Sequence, residues 1–198
     1  MNGFDVPKEC PAGKERQMEK PDYDEILWYV MRVAYQHELP VKEQLDAAGL
    51  ESYVPVERIR RRNAEGSAIG WKTQALVHNY IFVHDSLNNI RRIKRDIPHL
   101  RYFLSTSGPG GLNACQTVPE KQMRDFMTCV RTRGSKLLDA GIDVSRGDRV
   151  RVLAGPFAGV EGIFVRMPNR HENRVVVRIE GVAAVATAVL LKCDVEKI

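Results

Sequence analysis

The spacing of apolar residues changes character between residues 133 and 146, and that change limits the folds open to this chain. From residue 26 to about residue 133, runs of β-branched and aromatic residues alternate with stretches whose apolar positions recur at helical spacing. Beyond residue 145 the helical spacing disappears and only short valine-rich runs remain. Alternating strands and helices pack as layers, whereas closely spaced short strands curl into small barrels. The pattern predicts an α+β protein: an α/β sandwich over residues 25–133, a linker over 134–145 and a small closed barrel over 146–198.

Within the first part, Ile26 to Val33 (ILWYVMRV) is too rich in β-branched and aromatic residues for anything but a strand covered on both faces. In HELPVKEQLDAAGL, Val41, Leu45 and Ala48 recur at i, i+4, i+7, Pro40 is tolerated in a first turn, and Gly49 can end the helix. Glu51 to Ile59 reads as a strand with Pro55 near an edge. The basic stretch RIRRRNAEGSAIGWK then predicts a hairpin with a flexible tip, and Thr73 to Val83 its return strand. Alternation along that strand puts Leu76, His78, Tyr80 and Phe82 on one face and Val77, Asn79, Ile81 and Val83 on the other. Tyr80 and Phe82 then lie either under more protein or on a docking patch. Leu87, Ile90, Ile93 and Ile97 mark a second helix, begun by Asp85 or Ser86 and stopped before Pro98; Arg101 to Leu104 is a short strand. Thr117 and Glu120 have capping-box spacing ahead of a third helix marked by Met123, Phe126, Met127 and Val130.

Gly155, Gly159 and Gly162 crowd the segment GDRVRVLAGPFAGVEGIFVR. A phosphate-binding loop needs G-x-x-x-x-G-K-[ST], or G-x-G-x-x-G opening a helix. Here the spacing is G-x-x-x-G-x-x-G, no Lys-Ser or Lys-Thr follows, and β-branched residues come next. The glycines are therefore read as a turn and a bulge between strands. His37, His78, His84, His99 and His171 form no H-E-x-x-H, and no G-x-S-x-G elbow is present. No enzyme, cofactor or metal is expected. Cys10, Cys115, Cys129 and Cys193 form no C-x-x-C pair and read as reduced thiols of a cytoplasmic protein. Residues 1–24 are polar and lack an apolar signal-peptide core, so a flexible tail is expected; no run approaches the roughly 20 apolar residues of a membrane span.

The net charge of +5 permits a nucleic-acid partner without requiring one. Two basic clusters, Arg58/Arg60/Arg61/Arg62 and Arg91/Arg92/Lys94/Arg95, are either solvated faces or phosphate contacts, and neither has aromatic residues interleaved as a base-stacking platform would.

The order of these features resembles the NusG family of transcription elongation factors. The resemblance rests on Trp28-Tyr29-Val30 in the opening strand, Val54-Pro55, the aromatic strand, Ile97-Pro98-His99, and G-D-x-V-R-V-x-x-G-P-F-A-G-x-x-G over Gly147 to Gly162. It implies an N-terminal NusG-type domain followed by an SH3-like KOW β-barrel. His78-Asn79-Tyr80 stands where general members carry Pro-Gly-Tyr, and VHNYIFVH is similar to the UpxY-like antiterminators of capsular polysaccharide operons.

The resemblance implies a factor that docks on the clamp helices of RNA polymerase through Tyr80 and Phe82, with Val30 and Tyr53 beside them. It implies a gate-loop contact at Asn88 and Asn89, and reading of the non-template DNA strand around His37, Lys42 and Arg95. The KOW loop around Phe157 would hold a ribosomal protein or a termination factor. Tyr80→Ala with Phe82→Ala is expected to abolish polymerase binding while leaving the fold intact. The alternative is a KOW-containing RNA- or ribosome-binding protein using Arg149, Arg151, Arg166, Arg170 and Arg174.

Overall fold

The computed structural model describes residues 24–104, 114–138, 147–167 and 172–198; the expected tail and most of the expected linker lie outside them. The first sheet begins with β1 (Ile26–Val33), the strand the sequence predicts, residue for residue. Helix α1 (Glu38–Ala47) follows, then β2 (Glu51–Tyr53), β3 (Val56–Arg62) and β4 (Ala68–Ala75). Strand β5 (Tyr80–Ser86) leads directly into α2 (Leu87–Ile93), which a short 3-10 turn extends over Lys94–Asp96. Strands β6 (Leu100–Tyr102) and β7 (Thr117–Val118) precede α3 (Glu120–Arg131).

The sheet is antiparallel, ordered β2-β5-β1-β6, with β7 also paired to β1. Two successive strands thus share one edge of β1: β6 along Met31–Val33 and β7 along Trp28–Tyr29. Strands β3 and β4 form a separate two-stranded hairpin.

Period-two alternation divides the sheet's side chains between two layers. Tyr29, Met31, Ile81 and Val83 face one way, into a core with Val41 and Leu45 of α1 and Leu87 and Ile90 of α2. Trp28, Val30 and Phe82 face the other way, onto Met123, Phe126 and Cys129 of α3. The α2 N-terminus is capped as the sequence predicts: the Ser86 hydroxyl accepts from the Asn89 amide at 3.2 Å.

Three local expectations fail for identifiable reasons. Thr73 to Val83 is not one strand: the chain turns at residues 76–79, and Asn79 takes the left-handed φ of 69°. His78 therefore does not alternate with Tyr80, and the strand begins only at Tyr80. Glu51 to Ile59 likewise breaks in two around buried Val54 and Pro55. Thr117 does not cap α3, because its backbone is committed to pairing with Tyr29; Pro119 occupies the cap position instead.

The second sheet contains β8 (Lys136–Leu137), β9 (Arg149–Val152), β10 (Glu161–Arg166), β11 (Asn173–Ile179), β12 (Ala183–Ala186) and β13 (Val195–Lys197). The valine-rich segment forms strands, as its composition predicts. Strand order is β13-β9-β10-β11-β12-β8. The expected closed barrel is not seen: β12 spends its outer edge on β8, which arises inside the segment expected to be a linker, and the two end strands do not pair.

The glycine cluster is indeed a strand-turn-strand. Gly155 and Gly159 take φ values of 80° and 83° around a single 3-10 turn at Gly155–Phe157. Gly162 has a different cause: a Cβ there would overlap the Val176 carbonyl oxygen and stand 2.8 Å from Val175 Cγ1 on the paired strand. Gly162→Ala is accordingly expected to destabilise the protein by about 1–3 kcal/mol, the usual cost of overpacking. Denaturant unfolding checks this, and an unchanged midpoint would show that β10 and β11 can separate freely at that point.

Candidate functional site

Strand register builds the most distinctive surface of the first sheet. Tyr53 of β2 lies opposite Phe82 of β5, and Phe82 lies opposite Val30 of β1, so the three form one lateral row across the sheet. The Tyr53 and Phe82 rings are 6.3 Å apart, and Phe82 lies 5.8 Å from Phe126 of α3. Phe82 and Val30 are fully buried, while Tyr53 and Tyr80 are half-buried at the margins. Burial pushes the Tyr53 phenol up to about 12 against the opposing pull of Arg131, whose guanidinium lies 5.8 Å from the ring. At neutral pH the rim of the row is thus a neutral phenol beside a cation.

Tyr80 marks the other margin. Its ring meets Phe103 edge-on at 5.4 Å, and the Arg32 guanidinium lies 5.9 Å from the Tyr80 ring and 5.8 Å from the Phe103 ring. The Tyr80 hydroxyl donates to the Gly181 carbonyl at 3.3 Å, in the turn between β11 and β12. The second sheet therefore reaches the margin of this face.

Helix α3 carries the rest of the contact. Its apolar residues press on the first sheet, while Lys121, Gln122 and Asp125 meet backbone groups of the second. Lys121 Nζ donates to the Gly159 carbonyl at 2.7 Å and to Asp125 at 2.6 Å. Asp125, almost wholly buried, also accepts from the Glu161 amide at 3.0 Å, so its charge is paired and hydrogen-bonded as burial demands. Gln122 donates to the Arg178 carbonyl at 2.5 Å. Apolar contact completes the joint: Trp28, Val30, Phe82 and Phe126 share one continuous cluster with Val150, Val152, Phe157 and Val177.

The other residues expected to bind partners are scattered. Asn88 is exposed and donates to Asp24. Asn89 donates to Asp85 at 2.7 Å and accepts from Arg92, so its side chain is already engaged within α2 and its cap. His37, just ahead of α1, meets His99 in a tilted ring contact at 4.1 Å, and Lys42 is held by Asp46 at 2.6 Å. Arg95 is exposed on the 3-10 turn after α2. Phe157 does not stand out on a loop: it is buried, because the turn shaped by Gly155 and Gly159 folds its ring into the shared cluster.

Sequence reasoning missed two features. The Lys121–Asp125 pair has ordinary i, i+4 spacing and gives no sign of the backbone it meets. Trp71, 59% exposed on β4, stands opposite Arg60 and diagonal to Arg58 of β3, and only strand pairing brings the three together. Among the described residues, no group of three or more His, Cys, Asp or Glu side chains could hold a metal, and no helix is long and apolar enough to cross a membrane.

The described residues thus form a layered α/β half with an apolar lateral row, joined through α3 to a half made of short strands. The family model described as transcription termination factor NusG matches residues 27–127, and the chain belongs to the NusG family, a family of transcription factors rather than enzymes. Among solved structures, the chain is similar to one described as domain interaction in Thermotoga maritima NusG. That match has 22% identity, covers 89% of this chain and 99% of the other, and has a TM-score of 0.43. It is also similar to a structure described as an MjSpt4:Spt5 complex, with 15% identity, coverage of 87% and 97%, and a TM-score of 0.29. No curated protein sequence matches the chain significantly.

Cysteine reactivity offers a check on the buried joint. Burial, reinforced by the nearby Asp125 carboxylate, pushes the Cys129 thiol up to about 12, whereas Cys193 is exposed. Only a thiolate reacts with iodoacetamide. At pH 8, Cys193 is expected to be alkylated quickly and Cys129 only after denaturation, as read by peptide mass spectrometry. Alkylation of Cys129 at a comparable rate in the native protein would show that α3 lifts readily from the first sheet.

Proposed function

We propose that this protein is a transcription antitermination or elongation factor that binds RNA polymerase and suppresses pausing or termination in particular operons, capsular polysaccharide loci among them. The observation that carries this reading is the NusG family match over residues 27–127, with the half-buried Tyr53 and Tyr80 at the margins of the buried Phe82–Val30 row. Half-buried phenols at the margins of the first sheet suit a partner that also presents apolar side chains, such as the clamp helices of polymerase. Asn88 and Asn89 stand at the start of α2, away from that row, where they would meet the gate loop. Contact on both sides of the DNA channel would favour the closed clamp over its opened, paused form. The non-template DNA strand would pass near His37, Lys42 and Arg95. The cytoplasm is the compartment this activity requires.

In the conformation described, α3 covers Val30 and Phe82 and the second half covers one margin of the row, through Tyr80 and Gly181. A partner docking at Tyr80 must therefore displace that half, and its apparent affinity falls by the fraction of molecules that are open. Displacement would also free the buried Phe157 for a ribosomal protein or a termination factor.

The alternative, a KOW-containing RNA- or ribosome-binding protein, draws less support. Arg174 is buried and held by Glu172 and the Thr187 carbonyl, and Arg151 is paired with Glu161 at 2.9 Å and with Glu196 at 3.2 Å. Arg170 lies outside the described residues.

Retention of polymerase subunits from native lysate tests the reading. Phe82→Ala is no longer a suitable surface probe, since emptying so buried a position costs roughly 3–5 kcal/mol and would not leave the fold intact. Tyr80→Ala is expected to cut retention about tenfold with little change in melting temperature. Lys121→Ala is expected to raise retention, because it removes the bond to Gly159 and loosens the closed form. Absence of polymerase subunits in both the wild-type and the Lys121→Ala pull-downs would overturn the proposal.

A further inference from the structure

The β3–β4 hairpin carries a surface that the docking row does not explain. Arg60 is paired directly opposite Trp71, and Arg58 is two residues along on the same face. The Arg58 and Arg60 guanidinium carbons stand 5.4 and 5.9 Å from the Trp71 ring centre. Arg133, just beyond α3, joins Arg58 and Trp71 in lining one open recess. Among the described residues, none of Arg58, Arg60, Arg61 and Arg133 forms an ion pair with a carboxylate. Trp71 keeps more than half its surface in water although indole is costly to expose. Arg62 is the exception in the strand, its guanidinium donating to the Gly66 carbonyl at 2.8 Å to fix the hairpin tip.

Guanidiniums that have no carboxylate partner among the described residues, beside an exposed indole, provide what a single polynucleotide strand needs: cations for successive phosphates and a flat π-face for an unstacked base. A protein partner would be expected to meet such cations with carboxylates and to leave the indole in an apolar socket. A duplex keeps its bases stacked and would have no use for the ring. We propose that the Arg58–Arg60–Trp71 face of the hairpin, with Arg133 beside it, binds single-stranded nucleic acid, with a base stacked on Trp71 and the arginines on its phosphates. This assignment is independent of polymerase binding, because the hairpin is a separate sheet and Tyr80 is not part of it.

Trp71 also supplies the probe. The protein's other tryptophan, Trp28, is buried and stacked on His84 at 4.7 Å, so quenching by an added oligonucleotide reports Trp71. The full-length protein is titrated at about 50 mM salt with a mixed-sequence 15-mer as DNA, as RNA, and as the DNA duplex, with heparin as a polyanion control. Quenching by single-stranded DNA or RNA is expected, with weaker binding of the duplex. Trp71→Ala should weaken single-strand binding about tenfold, and Trp71→Phe should restore most of it, since any aromatic face stacks. Arg58→Gln and Arg60→Gln should each reduce the slope of log affinity against log salt by about 0.7, the value for one lost phosphate contact on a single strand. Because Trp71 is exposed, thermal unfolding of the alanine variant should match the wild type. Equal affinity of wild type and Trp71→Ala for the single strand overturns the proposal, as does quenching by heparin to the same extent. Either result would leave polymerase retention untouched and so would not bear on the docking row.

Discussion

Helix α3 is the member on which the two halves depend, because it is buried on two sides by different means. Toward the first sheet it presents Met123, Phe126 and Cys129, whose removal from water gives a strong, non-directional attachment. Toward the second it presents Lys121, Gln122 and Asp125, which donate to or accept from backbone groups at Gly159, Glu161 and Arg178. Hydrogen bonds of this kind contribute little net energy when water can replace them, roughly 0.5–1.5 kcal/mol each. The same helix is thus attached to the first sheet mainly by apolar burial and to the second by hydrogen bonds as well as apolar burial. The shared apolar cluster through Phe157 adds non-directional burial to the second attachment.

What the sequence made legible follows from how local the cause was. Strand β1 was readable to the residue because its β-branched and aromatic run is buried on both faces over Trp28 to Met31 and needs no distant partner to explain its composition. The Ser86 cap and the turn glycines Gly155 and Gly159 were readable for a similar reason: each meets a demand of its own backbone. The break at residues 76–79 was not, because period-two alternation continues through LVHNYIFV whether or not the chain turns. Only the left-handed Asn79 separates His78 from the strand. Gly162 gave the right residue with the wrong cause, since the close approach belongs to Val176 on another strand.

The functional surfaces divide in the same way. Tyr80 and Phe82 were identifiable because they lie on one strand, and alternation within that strand is local. Burial under more protein was one of the two readings of that face, and α3 and the second half, arriving from distant sequence, decide it: Phe82 is fully buried and Tyr80 half-buried. Trp71 is the converse case. Read along the chain, the arginines of β3 have no aromatic residue among them, and the basic run resembles any solvated face. The aromatic residue comes from the paired strand, so cross-strand register creates a juxtaposition that one-dimensional spacing cannot carry.

The two surfaces differ in availability, and that difference bears on the order in which partners could be met. Tyr80 cannot keep its hydroxyl on Gly181 and offer it elsewhere, so any partner at that margin competes with closure. Trp71 and its arginines are solvent-exposed with the halves joined. A strand bound there would not have to displace the second half, and its affinity would carry no penalty for opening. By linkage, such binding would leave the opening equilibrium unchanged unless the strand also touched the second half in one of the two states. The hairpin can therefore raise the local concentration of the protein near an exposed strand without itself opening the protein, and the free energy of opening must come from the partner that takes Tyr80.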